Sequence, residues 1–365
     1  MRWTLFLVGL AWAWGFWGHR RINRLAVFAL PESLFAFYRP HIEYITRQST
    51  KPDERRGLYP EEPPRHYIDL DNYPNPAALP RDWEAAVAQL SLDTLRAHGM
   101  LPWHLEKSFY ELVEAFRQKD APRILKLSAE IGHYLGDAHV PLHTTANYNG
   151  QLTGQHGVHA LWESYVPERY GDGYDYWVGQ ATLWLSPRDT FWSIIMQSHS
   201  FVEKVLSAER EATQRVGEER KFVYRQRGRN IFRTHSDDFL RVYHTLLEGM
   251  VESRLRAAVR NLASLWYTAW HLAGRPVLID VPFSGEGLPE DKLPDTLIVI
   301  DPRCNESACH FQNHAEETEH AWIGGFEAER KSKDAPNLPR AKGVIEQVKI
   351  WAILPEGTER RRRRG

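Results

Sequence analysis

Gly132-His-Tyr-Leu-Gly-Asp-Ala-His-Val-Pro-Leu-His143 places three imidazoles and a carboxylate within a dozen residues. His133 and Asp137 are four apart, so a helix presents them on one face. Pro141 ends such a helix and frees His143 to turn back toward the same side. Neutral imidazole and carboxylate are the donors that zinc takes. The competing reading is a helix-to-loop junction with histidines as ordinary polar residues, and the remainder of the chain has to decide between the two.

Working outward, Ala121 to Ala138 reads as the helix that carries this stretch. Asp82 to His98 and Leu101 to Arg117 read as amphipathic helices before it, and Arg20 to Phe37 as a helix interrupted at Pro31. After it, Asn147 to Gly157 is a Gly/Asn/Gln loop, and His159 to Tyr165 opens a further helix with His159 and Glu163 at i,i+4. Pro187 to Ala208 is helical in period, Glu209 to Arg229 is read as a solvated charged helix face, and Phe239 to Ala273 is a long helical pattern closed by Gly274 and Pro276. Strand signals are scarce before that point. The expected fold class is all-α, a single mainly helical domain over residues 14–274 with ligands presented from several helices and loops. Residues 275–365 are rich in Pro, Gly and charge, with β-like runs at Thr296–Ile300 and Val348–Ile353. They read as a low-order extension or a small separate unit. Cys304, Cys309, His310 and His314 lie there, and their spacing fits no strong zinc template.

The 365 residues are 42% hydrophobic and 25% charged, an ordinary globular balance. A net charge of −1 excludes a global basic field for nucleic acid or anionic membrane. The 17 His and 14 Trp are high counts, and 2 Cys exclude a disulfide framework as the basis of the core. Met1-Arg2, the apolar run Trp3–Leu10 and Ala11-Trp-Ala13 read as a short signal peptide over residues 1–13, cleaved before Trp14. The protein is therefore expected to be secreted or periplasmic, without a transmembrane segment. No stable protein partner is indicated, and a monomer is expected. Cleavage would give Trp14 a free α-amine, able with its carbonyl oxygen to chelate zinc beside His19.

Three groups of metal-type residues thus stand far apart: Trp14 and His19; Asp53 and His66; and His133, Asp137, His143, His159 and Glu163. Together with Trp14-Gly-Phe-Trp-Gly-His19, Asp53-Glu-Arg-Arg56, His66-Tyr-Ile-Asp69 and His159-Ala-Leu-Trp-Glu163, the chain resembles the superfamily of zinc-dependent S1/P1-type nucleases and bacterial zinc-dependent phospholipases C. The order and spacing of the motifs match from Trp14 onward and do not reach the tail. The resemblance implies a mainly helical fold with three zincs. It implies that Asp53, His66, His133 and Asp137 hold one, Trp14, His19 and the bridging Asp137 a second, and His143, His159 and Glu163 the third. Asp53 is the ligand with a neighbour, Glu54, able to replace it. His139 and His156 fall at non-ligand positions.

The implied activity is hydrolysis of phosphodiesters by zinc-activated water, in line at phosphorus. Asp137, Asp53 and Arg56 are the catalytic candidates, Arg56 as a bidentate phosphate contact or as a surface arginine. Tyr67 and Asp69 resemble the nuclease base pocket, an aromatic for stacking and a carboxylate for the base edge. Glu163 in place of Asp resembles the phospholipases, and the core disulfides of the fungal nucleases are missing. An apolar rim for lipid would come from Phe16, Trp17 and Trp162, which also suit a core. The reading taken is a nuclease acting on single-stranded nucleic acid. The alternative is a phospholipase C, and a second alternative is a zinc-binding protein without turnover, whose sites would be closed and four-coordinate.

Overall fold

Proline breaks and left-handed residues cut the helical pattern into many segments. A computed structural model describes residues 15–278, 326–328 and 350–352 of the chain. In order, the helices are α1 (Gly15–Ala26), α2 (Glu32–Tyr38), α3 (Ile42–Gln48), α4 (Lys51–Arg55), α5 (Trp83–Leu90), α6 (Leu92–His98), α7 (Leu101–Gln118), α8 (Ala121–Ala138), α9 (Val158–Ala160), α10 (Val166–Tyr170), α11 (Pro187–His199), α12 (Val202–Val216), α13 (Glu218–Lys221), α14 (Asp237–Leu246) and α15 (Met250–Leu272). A hairpin of β1 (Phe222–Arg227) and β2 (Asn230–His235) separates α13 from α14. Far along the chain, Phe326–Ala328 and Ile350–Ala352 form a short antiparallel pair. The domain is all-α apart from these two ribbons.

Helix α8 lies between α1, α3, α7 and α15. The Asp120 side chain caps it by accepting from the Arg123 N–H at 3.1 Å, and Pro122 occupies the first turn, where no donor is lost. At the other end the His139 and Val140 N–H groups turn back to the Gly136 and Asp137 carbonyls, each at 2.9 Å, just before Pro141. Helix α1 crosses α8 at Gly132 and Gly136. A β-carbon on Gly132 would lie 2.3 Å from Asn23 Oδ1, and one on Gly136 would lie 3.0 Å from His19 Nδ1. The two glycines let the backbones approach, which seats His19 beside the histidines of α8. On the far side, Tyr38 stacks on Trp266 with centroids 4.8 Å apart. Its hydroxyl lies 2.7 Å from Ser128 Oγ, and Trp266 Nε1 donates to the Ser128 carbonyl at 3.2 Å. Those contacts tie α2, α8 and α15 together. Burial of aromatics as large as Trp162 and Trp266, both fully enclosed, stabilises the fold by about 2–3 kcal/mol each.

Several expectations need correction. The Phe239–Ala273 pattern is two helices, because Glu248 (φ 51°) and Gly249 (φ 76°) break it. Ser91 (φ 71°) likewise splits the Asp82–His98 pattern into α5 and α6. The charged stretch Glu209–Arg229 is helical only to Lys221, then extends into β1. From Phe222 onward, the consecutive Phe222, Val223 and Tyr224 suit a strand better than a helix face. The signal peptide, Trp14, Thr296–Ile300 and the Cys304–His314 group lie outside the described residues. So does nearly all of the 275–365 extension, although Leu278 is buried in the core and Pro276 accepts from Trp270 Nε1 at 3.0 Å. No helix among the described residues is long and apolar enough to cross a membrane.

Gly132→Ala should lower stability by about 1–3 kcal/mol. Its methyl group must displace buried Asn23, whose Nδ2 donates to the His19 carbonyl at 3.1 Å. Urea unfolding of the two proteins measures this, and an unchanged midpoint would show that the crossing has slack.

Candidate metal centre

Seven elements meet at Asp137. Helix α8 supplies His133 and Asp137 from one face, as their i,i+4 spacing requires. Helix α1 supplies His19, α4 supplies Asp53, and the turn Pro63–Arg65 delivers His66. The turn Pro141–Thr144 brings back His143. Helix α9 and the π-helical turn Leu161–Tyr165 that follows it carry His159 and Glu163. Such π-turns recur at functional sites because they re-aim one side chain.

Asp137 Oδ2 lies 2.9 Å from His66 Nδ1 and 3.3 Å from His133 Nε2. Asp53 Oδ1 is 3.8 Å from the first of these nitrogens and 3.5 Å from the second. The two nitrogens are 3.1 Å apart. Asp137 Oδ2, His66 Nδ1 and His133 Nε2 therefore converge with separations close to the edge of about 3.3 Å of a tetrahedral zinc site with bonds near 2.0–2.1 Å, and Asp53 Oδ1 stands beside the two nitrogens. Glu54 is turned away onto Lys51 and Thr50, at 2.6 and 3.3 Å, so Asp53 is the carboxylate that joins the group. The other oxygen, Asp137 Oδ1, faces His19 Nε2 at 3.4 Å and His143 Nδ1 at 3.8 Å. Neither ring nitrogen of His19 makes a hydrogen bond, although the residue is fully buried. A third group joins His143 Nε2 and His159 Nε2 to Glu163 Oε2, at 3.3 and 3.1 Å. Buried ligand atoms crowded within 4.8 Å of one another, and a buried imidazole with both nitrogens unsatisfied, are what a cation would complete. These residues fit zinc.

The imidazoles are held from behind. His133 Nδ1 donates to the Ser49 carbonyl at 2.8 Å, which leaves Nε2 for the cluster. His143 Nδ1 donates to the His66 carbonyl at 2.6 Å, while the Ile68 N–H donates back to the His143 carbonyl at 2.9 Å. His66 Nε2 lies 3.5 Å from Glu62 Oε1. Glu62 is buried, accepts from the Tyr134 hydroxyl, and takes Arg65 Nη1 at 2.7 Å. A carboxylate behind a ligand imidazole fixes its ring and raises its basicity. Sequence reasoning missed Glu62. The signal was its i,i+4 spacing to His66.

Charge follows from this packing. Burial acts to raise the Asp137 carboxyl, but the imidazoles of His133 and His143 hold it well below the usual carboxylate range. Burial acts to lower His133, yet Asp137 and Asp53 push it up to about 10. Burial, with His133 alongside, pushes His19 down, so that it stays neutral. Burial opposes ionisation of Glu163 as well, but His159 and His143 bring it to about 2.

Other candidates sit elsewhere. Arg56 Nη1 lies 3.5 Å from Asp53 Oδ1, at the edge of the cluster. Tyr67 and Asp69 are each 1% exposed, so the Tyr67 ring offers no face to a base. The backbone explains it: Asp69 N–H donates to the His98 carbonyl at 2.7 Å, which draws the segment inward. Trp162 is fully buried and forms no rim, whereas Phe16 and Trp17 are half-buried. His139 is enclosed, with Nδ1 donating to the Leu135 carbonyl at 2.7 Å and Nε2 2.9 Å from Asn261 Nδ2, and His156 is exposed.

No protein-family model matches the chain, and no curated protein matches it. Among solved structures it is similar to the alpha-toxin of a Clostridium perfringens avian strain, at 14% identity and a TM-score of 0.42 over 70% of this chain and 64% of that one. It is also similar to the alpha toxin of Clostridium absonum, at 15% identity and a TM-score of 0.41 over 76% of this chain and 68% of that one. The chain spans less than two thirds of the length of the first of these.

Two outcomes are expected of the metal-free protein. Asp137→Asn should leave zinc only at His143, His159 and Glu163, read by elemental mass spectrometry after dialysis; full occupancy in the variant would remove Asp137 from its central place. Zinc uptake should also release protons, because His133 holds one at neutral pH and must lose it to bind. Affinity should then rise with pH toward about 10. Calorimetry in buffers of different ionisation enthalpy measures the release, and identical heats in all buffers would mean that His133 is already neutral.

Proposed function

We propose that the chain is a zinc-dependent phosphodiester hydrolase whose substrate is a phospholipid headgroup. The observation that carries the hydrolase reading is Asp137, whose two oxygens each face a separate group of imidazoles. A purely structural zinc site needs one closed set of four ligands. A carboxylate shared between two sets suits paired cations that act together on one phosphate.

Zinc held there would polarise a phosphoryl oxygen and lower the pKa of water to near neutrality. The chain's own residues supply the remainder. Asp53 Oδ1 points to the histidines, its Oδ2 is buried without a hydrogen bond, and against its burial His133, Arg56 and His66 hold the carboxyl well below the usual range, so Asp53 would stay ionised as a cation ligand. Arg56, held 3.5 Å from Asp53, stands where its remaining N–H groups can bind a phosphate oxygen. Glu62 keeps His66 in one orientation.

The preference for lipid rests on two features. The base pocket that favoured nucleic acid has its aromatic, Tyr67, in the core. The loop whose Tyr148 ring lies 5.8 Å from the His159 ring carries Leu152 at 71% exposure. An exposed apolar side chain on a loop that packs against an outer ligand suits an interface better than a nucleotide.

The zinc-loaded protein beginning at Trp14, assayed in parallel on phosphatidylcholine, single-stranded DNA and RNA, should release phosphorylated headgroup and lose that activity to chelator. Chelator-sensitive cleavage of nucleic acid alone would return the site to the nuclease reading. Bound zinc with neither activity would leave a structural or sequestering protein.

A further inference from the structure

The hairpin of β1 and β2 takes no part in the metal centre, yet it has an unusual surface. Antiparallel pairing sets Phe222 opposite His235, Tyr224 opposite Arg233 and Gln226 opposite Ile231. Directly paired residues share a face of the ribbon. The inner end of this face is packed, with the His235 ring 4.7 Å from Phe222, 5.2 Å from Phe239 and 5.5 Å from Tyr165. The outer end is bare: Tyr224 is 76% exposed and Ile231 67%.

Charge adds direction. From Lys221 to His235 the sequence holds Lys221, Arg225, Arg227, Arg229 and Arg233 and no carboxylate, in a chain of net charge −1. Lys221 is spent on Glu209 at 2.5 Å and Arg225 on Asp237 at 2.7 Å. Among the described residues, no carboxylate pairs with Arg229 or Arg233. Arg233 instead lies over the Phe222 ring, 3.7 Å from its centroid.

We propose that this hairpin is a docking arm for anionic lipid surfaces, setting Tyr224 and Ile231 into the headgroup layer while Arg229 and Arg233 meet the lipid phosphates. Tyrosine favours the boundary between water and acyl chain, and basic side chains near such a surface gain from its negative potential. A single-stranded nucleic acid would want several aromatics for successive bases. This face exposes one, and its neighbour Ile231 does not stack. Placement supports the same occupant. The hairpin root touches Tyr165, two residues beyond Glu163, so the arm is built on the element that carries the outer ligand group. The inference deepens the lipid reading and takes its purpose from it, but vesicle binding itself needs no turnover.

The test is co-sedimentation of the zinc-loaded chain with vesicles of phosphatidylcholine alone or with phosphatidylserine added. Binding should require phosphatidylserine and fall as salt is raised. Tyr224→Ser with Ile231→Ser, and separately Arg229→Glu with Arg233→Glu, should each weaken it about tenfold or more. Both should leave the melting temperature and the hydrolysis of water-soluble bis(p-nitrophenyl) phosphate unchanged. Wild-type protein remaining in the supernatant, or variants sedimenting as the wild type does, would overturn the proposal. So would variants that lose binding to single-stranded DNA while keeping vesicles. Should the soluble ester not be hydrolysed while hairpin-dependent vesicle binding persists, the hydrolase reading fails and the docking arm stands.

Discussion

An ionised carboxylate sealed from water must be answered by positive or hydrogen-bonding partners, since taking such an ion out of water costs several kcal/mol even after relaxation. Asp137 is fully buried and is answered by His19 and His143 on one oxygen and His66 and His133 on the other. Those four imidazoles come from four separate places in the chain. The fold around the centre can be understood as the set of packings that brings them to one carboxylate.

The helix crossing comes first in that construction. Gly132 and Gly136 let α1 lie against α8, and His19 arrives as a consequence. Pro141 then turns the chain so that the His143 ring donates to the His66 carbonyl while the Ile68 N–H donates to the His143 carbonyl. Asp71 continues the lock by accepting from Thr145 Oγ1 at 2.7 Å and the Ala146 N–H at 2.9 Å. The segment from His66 to Asp71 is therefore pinned along its length. The same pinning buries Tyr67 and Asp69, because residues between anchored neighbours have no freedom to face outward.

Local spacing made part of this legible. His133 with Asp137, and His159 with Glu163, are i,i+4 pairs whose shared face needs no tertiary knowledge, and the bounds of α8 follow from its cap and its proline. Burial was not legible in the same way. Tyr67 and Trp162 have side chains suited equally to a surface site or a core, and only the packing of distant segments decides. Glu62 was hidden for a related reason: its i,i+4 spacing to His66 is local, but its burial and its bond from Tyr134 come from a distant segment. The hairpin was obscured by composition, since Arg225, Arg227 and Arg229 resemble a charged helix face until the Phe222-Val223-Tyr224 run before them is weighed by strand propensity. Breaks at Ser91 and Glu248, where non-glycine residues take positive φ, carry little sequence signal at all.

Ligand charge leaves both the inner and the outer group short of neutral once loaded. The inner set of Asp53, His66, His133 and Asp137 has two carboxylates, but a second cation beside His19 would share Asp137, so two carboxylates would answer two divalent cations. The outer set of His143, His159 and Glu163 has a single carboxylate, and would leave a divalent cation there with net positive charge. An anionic phosphate is drawn to the uncompensated charge, the more so where surrounding protein keeps the effective dielectric low. The outer set is also the more accessible of the two among its histidines, with His159 6% exposed and His143 3%, whereas His66 and His133 are fully enclosed. On the proposed hydrolase reading, a phosphate would therefore reach the outer group first. Under that reading, attraction of a phosphodiester to a chain of net charge −1 would be local, set by how many carboxylates each group of imidazoles contains.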